Sequence, residues 1–170
     1  MMKIILKFFL FFLFFLFSNV ANAYCDFEVI NIGQSVDSIP QKFKLDFFEL
    51  KTNDGSFFLP IKSEEVCSDN KFKNFQIDYE FLNGKLHRIQ IEDYVDAADH
   101  LKNLKYYYGD PTEISEDKTF SGIRYYYWKF NFKEIFLITR FTENTNTHQI
   151  EILSNQYDSI MNSSKDFADE

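Results

Sequence analysis

Phe75, Ile77, Tyr79 and Phe81 alternate with Gln76, Asp78 and Glu80. A period of two marks a strand with one buried face. Asn83-Gly84 follows, then Leu86, Ile89 and Ile91, so the stretch predicts a hairpin whose turn is decided by parity. A two-residue loop at Asn83-Gly84 would pair Phe81 with Leu86 and Tyr79 with Arg88, and would turn Ile89 and Ile91 away from the apolar face. A three-residue loop, Leu82-Asn83-Gly84, pairs Phe81 with Lys85, Tyr79 with His87, Ile77 with Ile89 and Phe75 with Ile91. The apolar residues of both strands then share a face. A one-residue slip flips a whole strand, so the expectation is the longer turn, with Gly84 at positive φ in a bulge.

The pattern then changes period. Ala97, Leu101, Leu104 and Tyr108 fall on one helical stripe. Asp96 is a good N-cap, Asp99 lies in the first turn and Lys102 and Lys105 toward the end, signs that suit the helix dipole. Gly109 and Pro111 stop the helix. The stripe and the odd-numbered hairpin face are expected to be two halves of one core.

Elsewhere the patterning is shorter. Phe27–Ile32 predicts a strand, Ser35–Ile39 a helical turn limited by Pro40, and Phe43–Leu50 with Ser56–Ile61 a second hairpin around Thr52-Asn53-Asp54-Gly55. Lys62–Asn74 and Glu113–Ser121 are polar and predict loops. Gly122–Phe130 and Ile135–Phe141 predict a third hairpin around Asn131–Glu134, with Phe130 opposite Ile135 and Trp128 opposite Leu137. One of its faces carries Tyr126, Trp128, Phe130, Ile135, Leu137 and Phe141. The other carries Tyr125, Tyr127, Lys129, Phe136, Ile138 and Arg140. His148–Leu153 predicts a last strand and Ile160-Met161 a short final helix. The sum is an α+β domain: an antiparallel sheet built from hairpins, with one main helix packed on a face.

The first residues fit neither period. Met-Met-Lys precedes an apolar run from Phe8 to Phe17, and Ala21-Asn22-Ala23 places small residues at −3 and −1. This is the pattern of a secretory signal peptide; a bilayer span needs ~20 apolar residues. Tyr24 before Cys25 is unlike a lipoprotein signal, so cleavage is expected after Ala23. The organisation is then 1–23 signal peptide, 24–162 a single domain and 163–170 a frayed tail, the product exported to the periplasm or secreted, with no transmembrane segment in the mature chain.

Removing Lys3 and Lys7 leaves the chain more acidic than its full-length net charge of −8. That balance argues against nucleic acid and anionic membrane surfaces as partners. The 22 Phe and 10 Tyr are not by themselves a functional signal, because an AT-rich genome raises Phe, Tyr, Lys, Asn and Ile together. The 2 cysteines, Cys25 and Cys67, form no CxxC, and in an oxidising compartment they are expected to be bridged.

Ile32-Gly33-Gln34-Ser35 before a short helix, and a hairpin feeding a helix that ends Tyr108-Gly109-Asp110-Pro111, resemble small secreted bacterial α+β proteins of the outer-membrane assembly lipoprotein and β-lactamase-inhibitor-like type. The chain departs from the lipoprotein members in having no lipid-modified cysteine. The resemblance implies a binding or accessory role and carries over no site residue.

Candidate chemistry is sparse. His87, His100 and His148 have neither HExxH nor HxH spacing, so no metal site is assigned. No GxSxG or phosphate-cradling glycine loop is present. Glu64-Glu65 and Glu92-Asp93 are adjacent, so their side chains diverge on a strand. No catalytic residue and no cofactor is assigned; a small periplasmic hydrolase using histidine and carboxylates is the alternative. Tyrosine offers large contact area with a polar tip and recurs at binding surfaces. The sequence therefore nominates Tyr125, Tyr127, Lys129, Phe136 and Arg140 as a surface for a protein or peptide partner.

Overall fold

The computed structural model describes residues 25–39, 43, 56–68, 72–93, 97–117, 122–141 and 146–166. The expected signal peptide, the expected N-cap at Asp96 and most of the predicted strand Phe43–Leu50 lie outside the described residues. The strands are β1 (Phe57–Lys62), β2 (Gln76–Leu82), β3 (Lys85–Asp93), β4 (Glu113–Asp117), β5 (Ile123–Lys129), β6 (Lys133–Phe141) and β7 (Asn146–Ser154). Helix α1 (Ala97–Tyr108) lies between β3 and β4, and α2 (Tyr157–Asp166) follows β7, running past the Met161 at which the sequence pattern ends.

The strands form one seven-stranded antiparallel sheet in the order β1-β2-β3-β7-β6-β5-β4. Two meanders, β1–β3 and β4–β7, join where β3 pairs with β7, with Ile89 opposite Ile152 and Ile91 opposite Ile150. The expected antiparallel sheet built from hairpins with a helix is present, and the fold is mostly sheet.

The central hairpin corrects the predicted turn. Phe81 pairs with Leu86, so the loop is the two residues Asn83-Gly84, and both have positive φ, 51° and 74°. That is the type I′ geometry whose twist suits a tight hairpin. The extra residue sits in the strand instead: the register shifts between Glu80 and Phe81, and beyond it Tyr79 faces Ile89 and Ile77 faces Ile91. Tyr79 is therefore not opposite His87. A bulge at His87 restores the shared apolar face that the longer turn was expected to provide.

The β5–β6 hairpin is also tighter than expected. It closes through the Phe130 N–H donating to the Lys133 carbonyl (3.0 Å), which sets Trp128 opposite Ile135 and Tyr126 opposite Leu137. The shift is by two residues, so the two faces keep the membership read from the pattern.

One face, here the inner face, is fully buried along its middle: Leu59, Ile77, Tyr79, Ile89, Ile152, Leu137 and Trp128 belong to one core cluster with Leu104 of α1. Of the predicted helix stripe, Leu104 is in the core and Leu101 and Tyr108 pack against it. Gly109 ends α1 at φ 78°, its N–H bonded to the Lys105 carbonyl (3.0 Å). The Gly109 carbonyl in turn accepts from the buried Trp128 indole N–H (2.9 Å).

The second cover is residues 25–39. Phe27–Ile32 is not a strand; it runs through turns and bends that send Phe27 and Ile30 into the core. The run lacks alternation, and residues 27–34 are held by both local and long-range partners. The Tyr79 hydroxyl donates to the Phe27 carbonyl (2.8 Å). Gly33 N–H donates to the Leu86 carbonyl (2.7 Å) and Leu86 N–H to the Gln34 carbonyl (2.9 Å). Glu28 accepts from the Tyr108 hydroxyl (2.6 Å) and from the Lys133 ammonium, which lies over the Tyr108 ring at 4.7 Å.

The predicted disulfide is present. Cys25 and Cys67 have Cα atoms 4.3 Å apart and are 42 residues apart in sequence. Closing such a loop contributes ~4 kcal/mol in the chain-entropy model. Asn103 clamps the same point: its side-chain oxygen accepts from Cys25 N–H (2.9 Å) and its amide donates to the Cys25 carbonyl (2.8 Å).

The predicted polar loop at Glu113–Ser121 is corrected at its start, which forms strand β4 on β5. Its single apolar residue, Ile114, carries no period, and the strand is specified by its neighbour. Edge strands tolerate such polar sequences. Among the described residues no helix is long and apolar enough to cross a membrane.

Candidate functional site

The nominated side chains are placed by strand parity. Opposite the buried Trp128 and Leu137, the outer face of β5 and β6 carries four cross-strand pairs: Ile123 with Arg140, Tyr125 with Ile138, Tyr127 with Phe136, and Lys129 with Glu134. All five nominated residues therefore lie on one face. Tyr125, Tyr127 and Phe136 are half-buried, while Lys129 and Arg140 are exposed. On the same two strands Trp128 is 1 % exposed and Leu137 0 %. The backbone pleat puts the two sets on opposite faces.

Local contacts organise the surface. The Tyr127 and Phe136 rings lie 4.9 Å apart at 31°, a cross-strand aromatic pair. Burial, a hydrogen bond to the Glu134 carboxylate and the charges of Glu134 and Glu113 push the Tyr127 hydroxyl up to about 12. It therefore stays a proton donor throughout the neutral range. The Lys129 ammonium lies 3.9 Å from Glu134.

Arg140 is drawn the other way. Its guanidinium donates to the Gln149 side-chain carbonyl (3.0 Å), whose amide donates to Glu151 (2.9 Å). Glu151 accepts from Arg88 (2.6 Å), Arg88 lies 3.5 Å from Glu80, and Glu80 accepts from the Tyr157 hydroxyl of α2 (2.9 Å). This polar chain crosses the outer face from β6 to β2 and anchors the first turn of α2. The outer face is thus aromatic on β5 and β6 and ionic on β2, β3 and β7.

Sequence reasoning missed three parts of this surface. Ile123 extends the apolar patch beside Ile138, which the pattern had already placed on this face, and follows from the same parity. Glu113 and Glu134 give it an acidic border. The Glu80–Arg88–Glu151–Tyr157 chain had no signal, because its members are far apart along the chain.

The histidines are elsewhere. His87 is buried on the inner side and shares a hydrogen bond with the Ser154 hydroxyl (2.7 Å). His100 is buried among Phe27, Phe72 and Phe75, and its ring neighbour is His148 at 6.1 Å. Among the described residues no group of three or more His, Cys, Asp or Glu side chains is arranged to hold a metal ion.

Compared with protein-family models, curated proteins and solved structures, the chain matches none. The functional reading therefore rests on the chain's own geometry.

Proposed function

We propose that the protein is an exported α+β binding domain, periplasmic or secreted, that recognises a protein or peptide partner through the outer face of β5 and β6. The recognition residues are Tyr125, Tyr127, Lys129, Phe136 and Arg140. The observation that carries this reading is the unequal fate of two aromatic faces on the same strands. Trp128, Ile135 and Leu137 are buried in the core cluster that includes Leu104 of α1, with Tyr126 and Phe130 half-buried against it, whereas Tyr125, Tyr127 and Phe136 on the opposite face all retain solvent-exposed surface with charged side chains at both ends. A contiguous apolar surface with a polar border commonly marks an interaction site. Export is supported by the Met1–Ala23 pattern and by the Cys25–Cys67 bridge, a bond favoured in oxidising compartments. An accessory role also agrees with the resemblance to small secreted bacterial proteins.

The test is capture from envelope extract with the mature chain, Tyr24–Glu170, and with its Tyr127→Ala variant. A specific partner retained by the first should be bound more weakly by the second by more than ~1 kcal/mol, with unchanged thermal unfolding. Equal retention by both would refute this surface.

A further inference from the structure

The aromatic patch runs out to β4, the last strand of the sheet, and among the described residues no strand pairs with its outer edge. An edge strand turns alternate backbone N–H and C=O groups outward, a template on which an extended peptide adds as another strand. Glu113, Ile114, Ser115 and Glu116 are all exposed, Ile114 at 57 %. We infer that the partner contributes an extended basic segment that pairs along the outer edge of β4. This inference rests on the binding reading above and names the chemistry of the partner.

Charge selects the occupant. β4 is Glu-Ile-Ser-Glu-Asp, on a chain whose net charge is −8. A second copy is disfavoured: antiparallel self-pairing centred on Ser115 would set Glu113 opposite Asp117 and Ile114 opposite Glu116. Like charges directly opposite destabilise a strand pair, and opposite charges stabilise it.

The register defines the pattern that fits. Glu113 pairs with Tyr127 and Ser115 with Tyr125, so both lie on the outer face. Ile114 lies on the inner side, opposite Tyr126. Lys or Arg beside Glu113 would meet its carboxylate. Lys or Arg beside Ser115 would reach over that small side chain to the Tyr125 ring, a cation–π contact. The residue between them, beside Ile114, would be apolar. The segment thus alternates basic and apolar residues. Glu116 is less available, because its carboxylate already accepts from Arg124 (2.7 Å).

The test uses the mature chain and a fluorescent nonapeptide of alternating Lys and Val, with a Glu/Val peptide as control. Anisotropy should report binding of the Lys/Val peptide alone, and deuterium exchange should slow at β4. Glu113→Lys should weaken binding about tenfold. Glu65→Lys, the same charge change beyond the opposite edge strand, should leave it unchanged. Equal loss in both variants, no binding at low salt, or protection confined to another segment overturns the edge proposal. A dimer with slowed exchange at β4 overturns it in favour of a second copy. The broader reading is separable: a captured partner that needs Tyr127 and ignores Glu113→Lys keeps the face as the binding surface and removes the edge.

Discussion

β5 and β6 present aromatic and apolar side chains on both faces, with opposite outcomes. On the inner face Trp128 and Leu137 are sealed, and the Trp128 indole N–H reaches the Gly109 carbonyl at the end of α1. On the outer face Tyr125, Tyr127 and Phe136 lie between Lys129 at one end and Arg140 at the other and are only half-buried. Composition does not separate the faces, since both are rich in large rings. What separates them is cover. The inner face has α1 and the disulfide-tethered segment 25–39, while the contacts of α2 through Tyr157 are with Glu80 and Arg88, on β2 and β3.

If cover decides, truncation on the inner face is costly. Trp128→Ala removes a fully buried ring and leaves the Gly109 carbonyl without its donor; urea unfolding should show a loss of ~3–5 kcal/mol. A loss below ~1 kcal/mol would mean that the inner face is not the principal core. Replacing both Cys25 and Cys67 by Ser should cost 2–4 kcal/mol, about the loop-closure term. A smaller loss would show that the N-terminal cover is held by its hydrogen bonds without the bridge. Asn103→Ala strips two hydrogen bonds from the buried Cys25 backbone and should cost ~1–3 kcal/mol.

The patterning carried the faces but not the details. Parity placed Tyr125 and Tyr127 opposite Trp128 correctly even though the β5–β6 turn is tighter by two residues, because a shift of two preserves every face. The central hairpin is similar: an extra residue in the turn or a bulge at His87 restores the same shared face, so the pattern cannot choose between them. Gly109 and Pro111 marked the end of α1 because their chemistry is local. β4 was invisible because one isoleucine among four polar residues has no period. Phe27–Ile32 was misread as a strand because its shape is dictated by Tyr79, Tyr108 and Lys133, all distant in sequence, whereas the helical turn expected at Ser35–Ile39 is present as Val36–Ser38. The chain from Arg140 to Tyr157 was hidden for the same reason.

The inner face also carries a pH dependence. Burial and the nearby Lys85 charge hold the His87 imidazole below its ordinary 6.5. The unfolded chain therefore takes up a proton that the folded chain refuses. Stability is full above ~6.5 and declines as pH falls from there toward the depressed folded value. The urea midpoint should drop between pH 7.5 and 5.5, and His87→Gln should flatten that slope. A midpoint that rises on acidification would contradict the sign.

The outer face should show the smallest stability effects, and there the account is most exposed. Its central claim is that Tyr125 and Tyr127 form a surface and not a second core layer. The direct measurement is equilibrium urea unfolding of residues 24–170 carrying Tyr125→Ala and Tyr127→Ala, beside the same chain carrying Trp128→Ala. The account predicts a loss of ~1 kcal/mol or less for the double variant, with an unchanged denaturant slope. A loss of ~3 kcal/mol or more, matching Trp128→Ala, would make the outer face core and leave the binding proposal without its residues.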